Sequence, residues 1–86
     1  MPEISRFFGI VIKMFFDDHN PPHFHAEYGG SVALIDIRNL SIFSGRLSPR
    51  AVGLVIEWAT LHQLDLLADW EKARAQQELH KIPPLE

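Results

Sequence analysis

Residues 23–37 read HFHAEYGGSVALIDI, and this stretch decides the fold of the N-terminal half. Its two adjacent glycines, Gly29 and Gly30, both accept positive φ angles and therefore favour a two-residue hairpin turn. The sequence predicts one strand from His23 to Tyr28 and another from Ser31 to Ile37. Because the connection is short, we expect the two strands to be antiparallel neighbours.

Two further strands are predicted on either side of this hairpin. Upstream, the segment from Phe7 to Phe16 alternates so that its even positions are all apolar: Phe8, Ile10, Ile12, Met14 and Phe16. Downstream, Arg38-Asn39 favours a tight turn before a short strand from Leu40 to Ser44. The N-terminal half is therefore expected to form a sheet with one strongly apolar face.

The C-terminal half has the pattern of helices. Ser48-Pro49 is typical of a helix start, with serine as the N-cap and proline at the first helical position. Apolar residues then recur at helical spacing, and a second helix is predicted from about Leu64 to Gln77. The pattern leaves open whether His62-Gln63 separates two helices or kinks one.

These elements predict an α+β fold in a single domain, residues 1–86. An antiparallel sheet of three to four strands, in residues 1–47, would pack its apolar face against two helices in residues 48–78. Residues 79–86, with Pro83-Pro84, are expected to form an extended tail. Burying the apolar stripe of the first strand would supply much of the stability of so small a domain.

Composition and charge exclude several classes of protein. The 86 residues are 47% hydrophobic and 22% charged and include no cysteine, which excludes a disordered chain and a disulfide-stapled secreted domain. No apolar run approaches the roughly 20 residues of a membrane span, and no secretory signal is visible, so we expect a cytoplasmic protein without membrane contact. The net charge of −3 does not favour nucleic-acid binding, although Lys13, Arg38 and Arg46 are candidates for a local basic patch.

The chemically distinctive segment is HNPPHFHAEY, residues 19–28, which holds three of the five histidines. If the part after the prolines is extended, alternation places His23, His25 and Glu27 on one face. His19 precedes them in a turn from which it could fold back over that face. The segment therefore displays imidazoles and a carboxylate together.

Three interpretations of this cluster stay open at the level of sequence. His23 and His25 could chelate a divalent metal such as zinc or nickel, with a third ligand from His19, Glu27, Asp17 or Asp18. Alternatively, His23 and His25 could act as general acid and base on a phosphodiester, with Lys13, Tyr28 or Arg46 supporting an oxyanion. The third interpretation is a solvated structural face or a partner-binding surface.

Several segments resemble the bacterial family called domain of unknown function 4160. They are the opening Pro2 to Ile10, the segment His19 to Tyr28, and Glu57-Trp58-Ala59. The resemblance covers essentially the whole chain. It implies a small cytoplasmic protein, often encoded beside a member of the family called domain of unknown function 2442, in a pair that looks like a toxin–antitoxin module. It carries over no catalytic residue.

The leading functional hypothesis is therefore one component of such a two-gene module, acting through a small partner protein and directed at RNA or translation. One alternative is a divalent-metal-binding protein that uses His19, His23, His25 and Glu27. Another is a structural or regulatory adaptor without catalysis. A homo-oligomer is also expected to be possible, through the apolar face that carries Phe7, Val11 and Phe15.

Overall fold

The computed structural model describes residues 3–86; Met1 and Pro2, the latter part of the opening family-like motif, lie outside the described residues. It has an α+β fold with strands first and helices second. The elements are β1 (Glu3–Phe7), β2 (Ile10–Lys13), β3 (His23–Tyr28), β4 (Ser31–Asp36), β5 (Ile42–Gly45), α1 (Pro49–Leu61) and α2 (Gln63–Arg74).

The described strands form one antiparallel sheet in the order β1-β2-β3-β4-β5, a simple meander. The central hairpin is confirmed: β3 pairs with β4 from His23 opposite Asp36 to Tyr28 opposite Ser31. Gly29 and Gly30 both have positive φ, as the two-residue turn requires. This hairpin fixes the register of the histidine-bearing strand.

The sheet has five strands, so the expected three to four strands were too few. The prediction of one strand from Phe7 to Phe16 was wrong, because the chain reverses at Phe8 and Gly9 and makes two strands, β1 and β2. The predicted core positions Ile10, Ile12 and Met14 are nevertheless fully buried. Both turn residues have positive φ, the arrangement of a tight hairpin turn. Phe8 is consequently 57% exposed instead of lying on the core face.

The last strand also begins later than the predicted Leu40. Asp36 organises a turn, since its Oδ1 accepts hydrogen bonds from the backbone N–H groups of Arg38 and Asn39. The backbone N–H of Leu40 donates to the carbonyl of Asp36, and Leu40 itself has positive φ. β5 therefore starts only at Ile42.

The helix start at Ser48 is confirmed, and its hydroxyl accepts a hydrogen bond from the N–H of Ala51 at 3.3 Å. The question left open at His62 is answered by a break between α1 and α2, with an 84° bend. α2 ends at Arg74, before the predicted Gln77, because Gln76 adopts positive φ. The N–H groups of Gln76 and Gln77 then bond back to the carbonyls of Ala73 and Lys72, a Schellman motif.

The core lies between the sheet and the helices, and it includes the C-terminal tail. Trp58 of α1 is fully buried, with its ring 5.3 Å from Phe7 and 5.8 Å from Phe24 between centroids. The tail has no regular secondary structure, and Ile82 and Leu85 are buried in the same core. In the described part of the chain no single helix is long and apolar enough to cross a membrane; α1 and α2 meet that test only when taken together across their bend.

Candidate metal centre

The two histidines of β3 lie side by side at the start of the strand. His23 and His25 are two residues apart in an extended segment, so their side chains share a face. Their ring centroids are 5.4 Å apart. The segment after the double proline is therefore extended as predicted, and it brings the two imidazoles together.

A carboxylate from the preceding loop meets both rings. Oδ2 of Asp18 lies 3.0 Å from Nε2 of His25 and 3.2 Å from Nε2 of His23. The last residue of α2 and the turn after it hold this loop through two side-chain hydrogen bonds, from Arg74 to Asn20 and from Gln76 to Asp17. Asp18 is thus positioned by contacts on both sides of it in the sequence.

The carbonyl of Pro21 fixes the role of one ring nitrogen of His23. This side chain is buried, with only 4% of the residue exposed, and its Nδ1 is 2.7 Å from the carbonyl oxygen of Pro21. A carbonyl only accepts hydrogen bonds, so Nδ1 carries the proton and donates it. In the neutral ring, Nε2 then presents a bare lone pair toward Asp18.

That lone pair has no hydrogen-bond partner. Nε2 of His23 is among the buried side-chain atoms left unpaired, although Oδ2 of Asp18 is only 3.2 Å away. The approach is off the direction that a hydrogen bond requires, and an ionised carboxylate has no proton to offer. With a neutral ring, two electron-rich atoms lie 3.2 Å apart beside a buried imidazole, an arrangement that a cation between them would stabilise.

Aromatic side chains enclose the pair of imidazoles. The His23 ring lies 5.3 Å from Trp70 of α2 and 5.3 Å from Phe43 of β5, and the edge of Phe15 meets His25 at 4.6 Å. These rings make the surroundings of His23 apolar, and a lower local dielectric constant strengthens the attraction of the carboxylate and imidazoles for a cation.

The arrangement fits a transition metal. One ligand atom from each of Asp18, His23 and His25 lies within 4.8 Å of the other two. Ligands about 2.0–2.1 Å from a tetrahedral zinc ion are themselves about 3.3 Å apart, close to the 3.0 and 3.2 Å separations at Asp18. The hydrogen bond from His23 to Pro21 is the outer contact that metal-bound histidines commonly make.

The other residues singled out from the sequence lie elsewhere. Among residues 3–86, the group with metal-ligand geometry contains neither His19, which is exposed, nor Glu27. Glu27 pairs instead with Lys13 on β2, with 3.0 Å between Nζ and Oε2. Tyr28 and Arg46 are exposed and outside the group. The sequence offered several candidates for the third ligand, among them His19, Glu27 and Asp18. Of these, Asp18 is the one that lies beside the two histidines.

Comparison with known proteins assigns the chain to a family. It belongs to the family described as Domain of unknown function (DUF4160), whose model matches residues 9–71. The match confirms the resemblance in the sequence and includes all three residues of the candidate metal centre. No curated protein and no solved structure matches the chain.

Proposed function

We propose that this protein binds a divalent transition metal, zinc or nickel, through Asp18, His23 and His25. The observation that carries the proposal is the buried Nε2 of His23, which has no hydrogen-bond partner and lies 3.2 Å from Oδ2 of Asp18, while Nδ1 of the same ring is bound to the carbonyl of Pro21. Two imidazoles and one carboxylate are ligands that suit these ions. Compared with the ligands predicted from the sequence, Asp18 takes the place of His19 and Glu27.

Three protein ligands leave a tetrahedral ion with one open position. A structural zinc site is normally closed by four protein ligands, whereas an ion with three takes a water or another molecule in the fourth place. The half-buried side chains of Asp18 and His25 give this centre an exposed side. The proposed ion is therefore accessible to a small ligand or to a residue of a partner.

The proposal is tested by titrating zinc and nickel, separately, into protein prepared without a histidine tag. We expect one ion per chain. His25→Ala should weaken binding more than about 100-fold, because changes to outer-shell partners alone cost about 10- to 100-fold. His25 is preferred over His23 for this test because its side chain is less buried, so its loss disturbs the fold less.

His80→Ala is the matched control, since His80 is an exposed histidine in the tail. It should bind zinc like the unaltered protein. Circular dichroism should show that both variants remain folded. Absence of saturable binding, or equal weakening in the two variants, would contradict the proposal.

A second candidate function is supported by a different observation. Leu61 and Leu64, at the corner between α1 and α2, are 68% and 81% exposed. Large exposed apolar side chains that are clustered commonly mark protein interfaces. We therefore also propose that this corner binds a small partner protein, as expected for a component of a two-gene module of the toxin–antitoxin type.

Co-expression with the product of the neighbouring gene tests this second candidate. The unaltered chain should retain that product through purification, and the double variant Leu61→Ser, Leu64→Ser should lose it. Ala68→Ser, at another exposed position of α2, is the control and should retain it. Equal retention by the double variant would show that the corner is not the interface.

A further inference from the structure

A groove of about 540 Å³ lies between the loop before β3, the turn after β4 and the second half of α2. Its lining residues are Asn20, Pro21, Pro22, Arg38, Trp70, Glu71 and Arg74. None of the three proposed metal ligands is among them. The volume is within the range of about 300–1,000 Å³ that is usual for small-molecule sites.

Two arginines, Arg38 and Arg74, supply the positive charge of this groove. Among residues 3–86, neither Arg38 nor Arg74 forms an ion pair with a carboxylate, whereas Arg6 is paired with Glu3 and Lys13 with Glu27. One guanidinium nitrogen of Arg74 donates to Asn20 at 3.2 Å. Each guanidinium has five N–H donors, so most donors remain for a ligand.

The groove is built on fixed backbone. Asp36 accepts a hydrogen bond from the N–H of Arg38 at 2.7 Å, and the side-chain amide of Gln63 donates to the carbonyl of Arg38 at 2.9 Å. Arg74 stands in the last turn of α2, which its bond to Asn20 ties to the opposite wall. The two arginines therefore project from positions that are set before any ligand arrives, which lowers the entropic cost of binding.

We infer that this groove binds a small phosphomonoester, with Arg38 and Arg74 contacting the phosphate. Guanidinium groups match the geometry and charge of phosphate oxygens, and pairs of them are common at phosphate sites. Pro21 gives the groove an exposed apolar surface against which the carbon skeleton of the ligand packs; Pro22 and Trp70 also line the groove but are buried.

Glu71 determines which anion is preferred. Glu71 lines the same groove, and its carboxylate repels a bare anion but accepts a hydrogen bond from a ligand hydroxyl. A phosphate ester with a neighbouring hydroxyl therefore suits the groove better than inorganic phosphate. The net charge of −3 disfavours a polyanion such as RNA, for which a continuous basic surface is usual.

Calorimetric titration at low ionic strength tests the inference, with glycerol phosphate, inorganic phosphate and a short single-stranded RNA as probes. Glycerol phosphate should bind most tightly. The double variant Arg38→Gln, Arg74→Gln should weaken its binding at least about tenfold, because charge-assisted hydrogen bonds to the phosphate are lost. Arg50→Gln, at an exposed position in the first turn of α1, is the control and should leave binding unchanged.

Glu71→Gln should tighten the binding of both phosphates, because a negative charge is removed. It should also reduce the difference in affinity between glycerol phosphate and inorganic phosphate, because a neutral amide accepts a weaker hydrogen bond from the ligand hydroxyl than a carboxylate does. Only the second effect distinguishes the proposed contact from general surface electrostatics. The titrations are run with a chelator present, so that they succeed or fail independently of the proposed metal. Absence of binding, equal binding by the double arginine variant, or binding of RNA alone would overturn the inference.

Discussion

Asp69 on α2 is a buried carboxyl group whose two oxygens have different surroundings. Oδ1 accepts a hydrogen bond from the N–H of His80 at 3.0 Å, whereas Oδ2 has no partner. Burial raises the pKa of Asp69 above its ordinary value of 3.8, against the opposing effects of the His80 N–H and the charge of Lys72. The protonated form of Asp69 is therefore favoured in the folded protein relative to the unfolded chain.

The raised pKa of Asp69 predicts a particular pH dependence of stability. The contribution of protonated Asp69 to the free energy of unfolding is fully present below the pKa of the unfolded chain, near 3.8. It is lost as the pH rises through the higher pKa of the folded state. Asp69→Asn keeps an acceptor for His80 but does not ionise. Urea unfolding should be measured from about pH 3.5 upward. The free energy of unfolding of the variant should rise relative to that of the unaltered protein until the pH exceeds the folded pKa of Asp69, and the difference should then stay constant. A difference in the free energy of unfolding that does not change with pH over this range would contradict the raised pKa of Asp69.

At the residue scale, the sequence predicted which side chains of β3 share a face but not how buried each would be. Alternation placed His23 beside His25 correctly, because it depends only on the extended backbone. The burial of His23 depends on Trp70 and Phe43, which are distant in sequence. The hydrogen bond to Pro21 is local, but it depends on the loop conformation and leaves no periodic signal.

Gly45 at the end of β5 is required by its close contact with the neighbouring strand. It has a positive φ, and a Cβ placed there would overlap the carbonyl oxygen of Val32. Gly30 also has a positive φ, but a Cβ at that position would meet no atom within 4 Å. A side chain at Gly30 would therefore cause backbone strain alone, whereas one at Gly45 would cause both backbone strain and steric overlap.

We therefore predict different costs for alanine at these two glycines. Gly30→Ala should lower the free energy of unfolding by about 1–2 kcal/mol, from the left-handed backbone alone. Gly45→Ala should cost about 1–3 kcal/mol more, because the strands must also move apart. Denaturant unfolding of both variants measures the difference. Equal losses in the free energy of unfolding would show that β5 can move away from β4 without an energetic cost.

At the scale of elements, turns with strong chemical signals were predictable and turns without them were not. Gly29-Gly30 and Ser48-Pro49 marked their boundaries because the residue types match the required backbone conformation. The reversal at Phe8-Gly9 was missed because phenylalanine rarely adopts the positive φ that it has here. Gly9 was the one available signal of that turn.

The C-terminal tail is part of the core of the whole molecule. Ile82 is buried, and its backbone N–H donates to the carbonyl of Ile4 on β1 at 2.8 Å. The indole N–H of Trp58 donates to the carbonyl of Pro83 at 2.8 Å. The last residues therefore connect the first strand to the first helix.

Ile82→Ala should consequently lower the free energy of unfolding by about 2–4 kcal/mol, a typical cost for truncating a buried isoleucine. Pro84→Ala, at an exposed position of the same tail, is the control and should change it little. Chemical denaturation followed by tryptophan fluorescence provides the measurement. Loss of less than about 0.5 kcal/mol, the range usual for surface changes, would show that the tail is not part of the core.

At the scale of the whole molecule, the sequence predicted the α+β class but not how its parts meet. The spacing of hydrophobic residues along the chain indicates the order of strands and helices. The path of the tail across Trp58, and the approach of α2 to the loop that carries Asp18, depend on packing between distant segments. For the same reason the third residue of the candidate metal centre stayed ambiguous until the structure placed it.

The most direct test of the proposed metal centre is a crystal structure of the zinc-loaded protein, with anomalous diffraction recorded at the zinc edge. We expect one strong anomalous peak about 2.0–2.2 Å from Nε2 of His23, Nε2 of His25 and a carboxylate oxygen of Asp18. An ordered zinc ion bound only elsewhere, or no peak between these three side chains in zinc-saturated crystals, would contradict it.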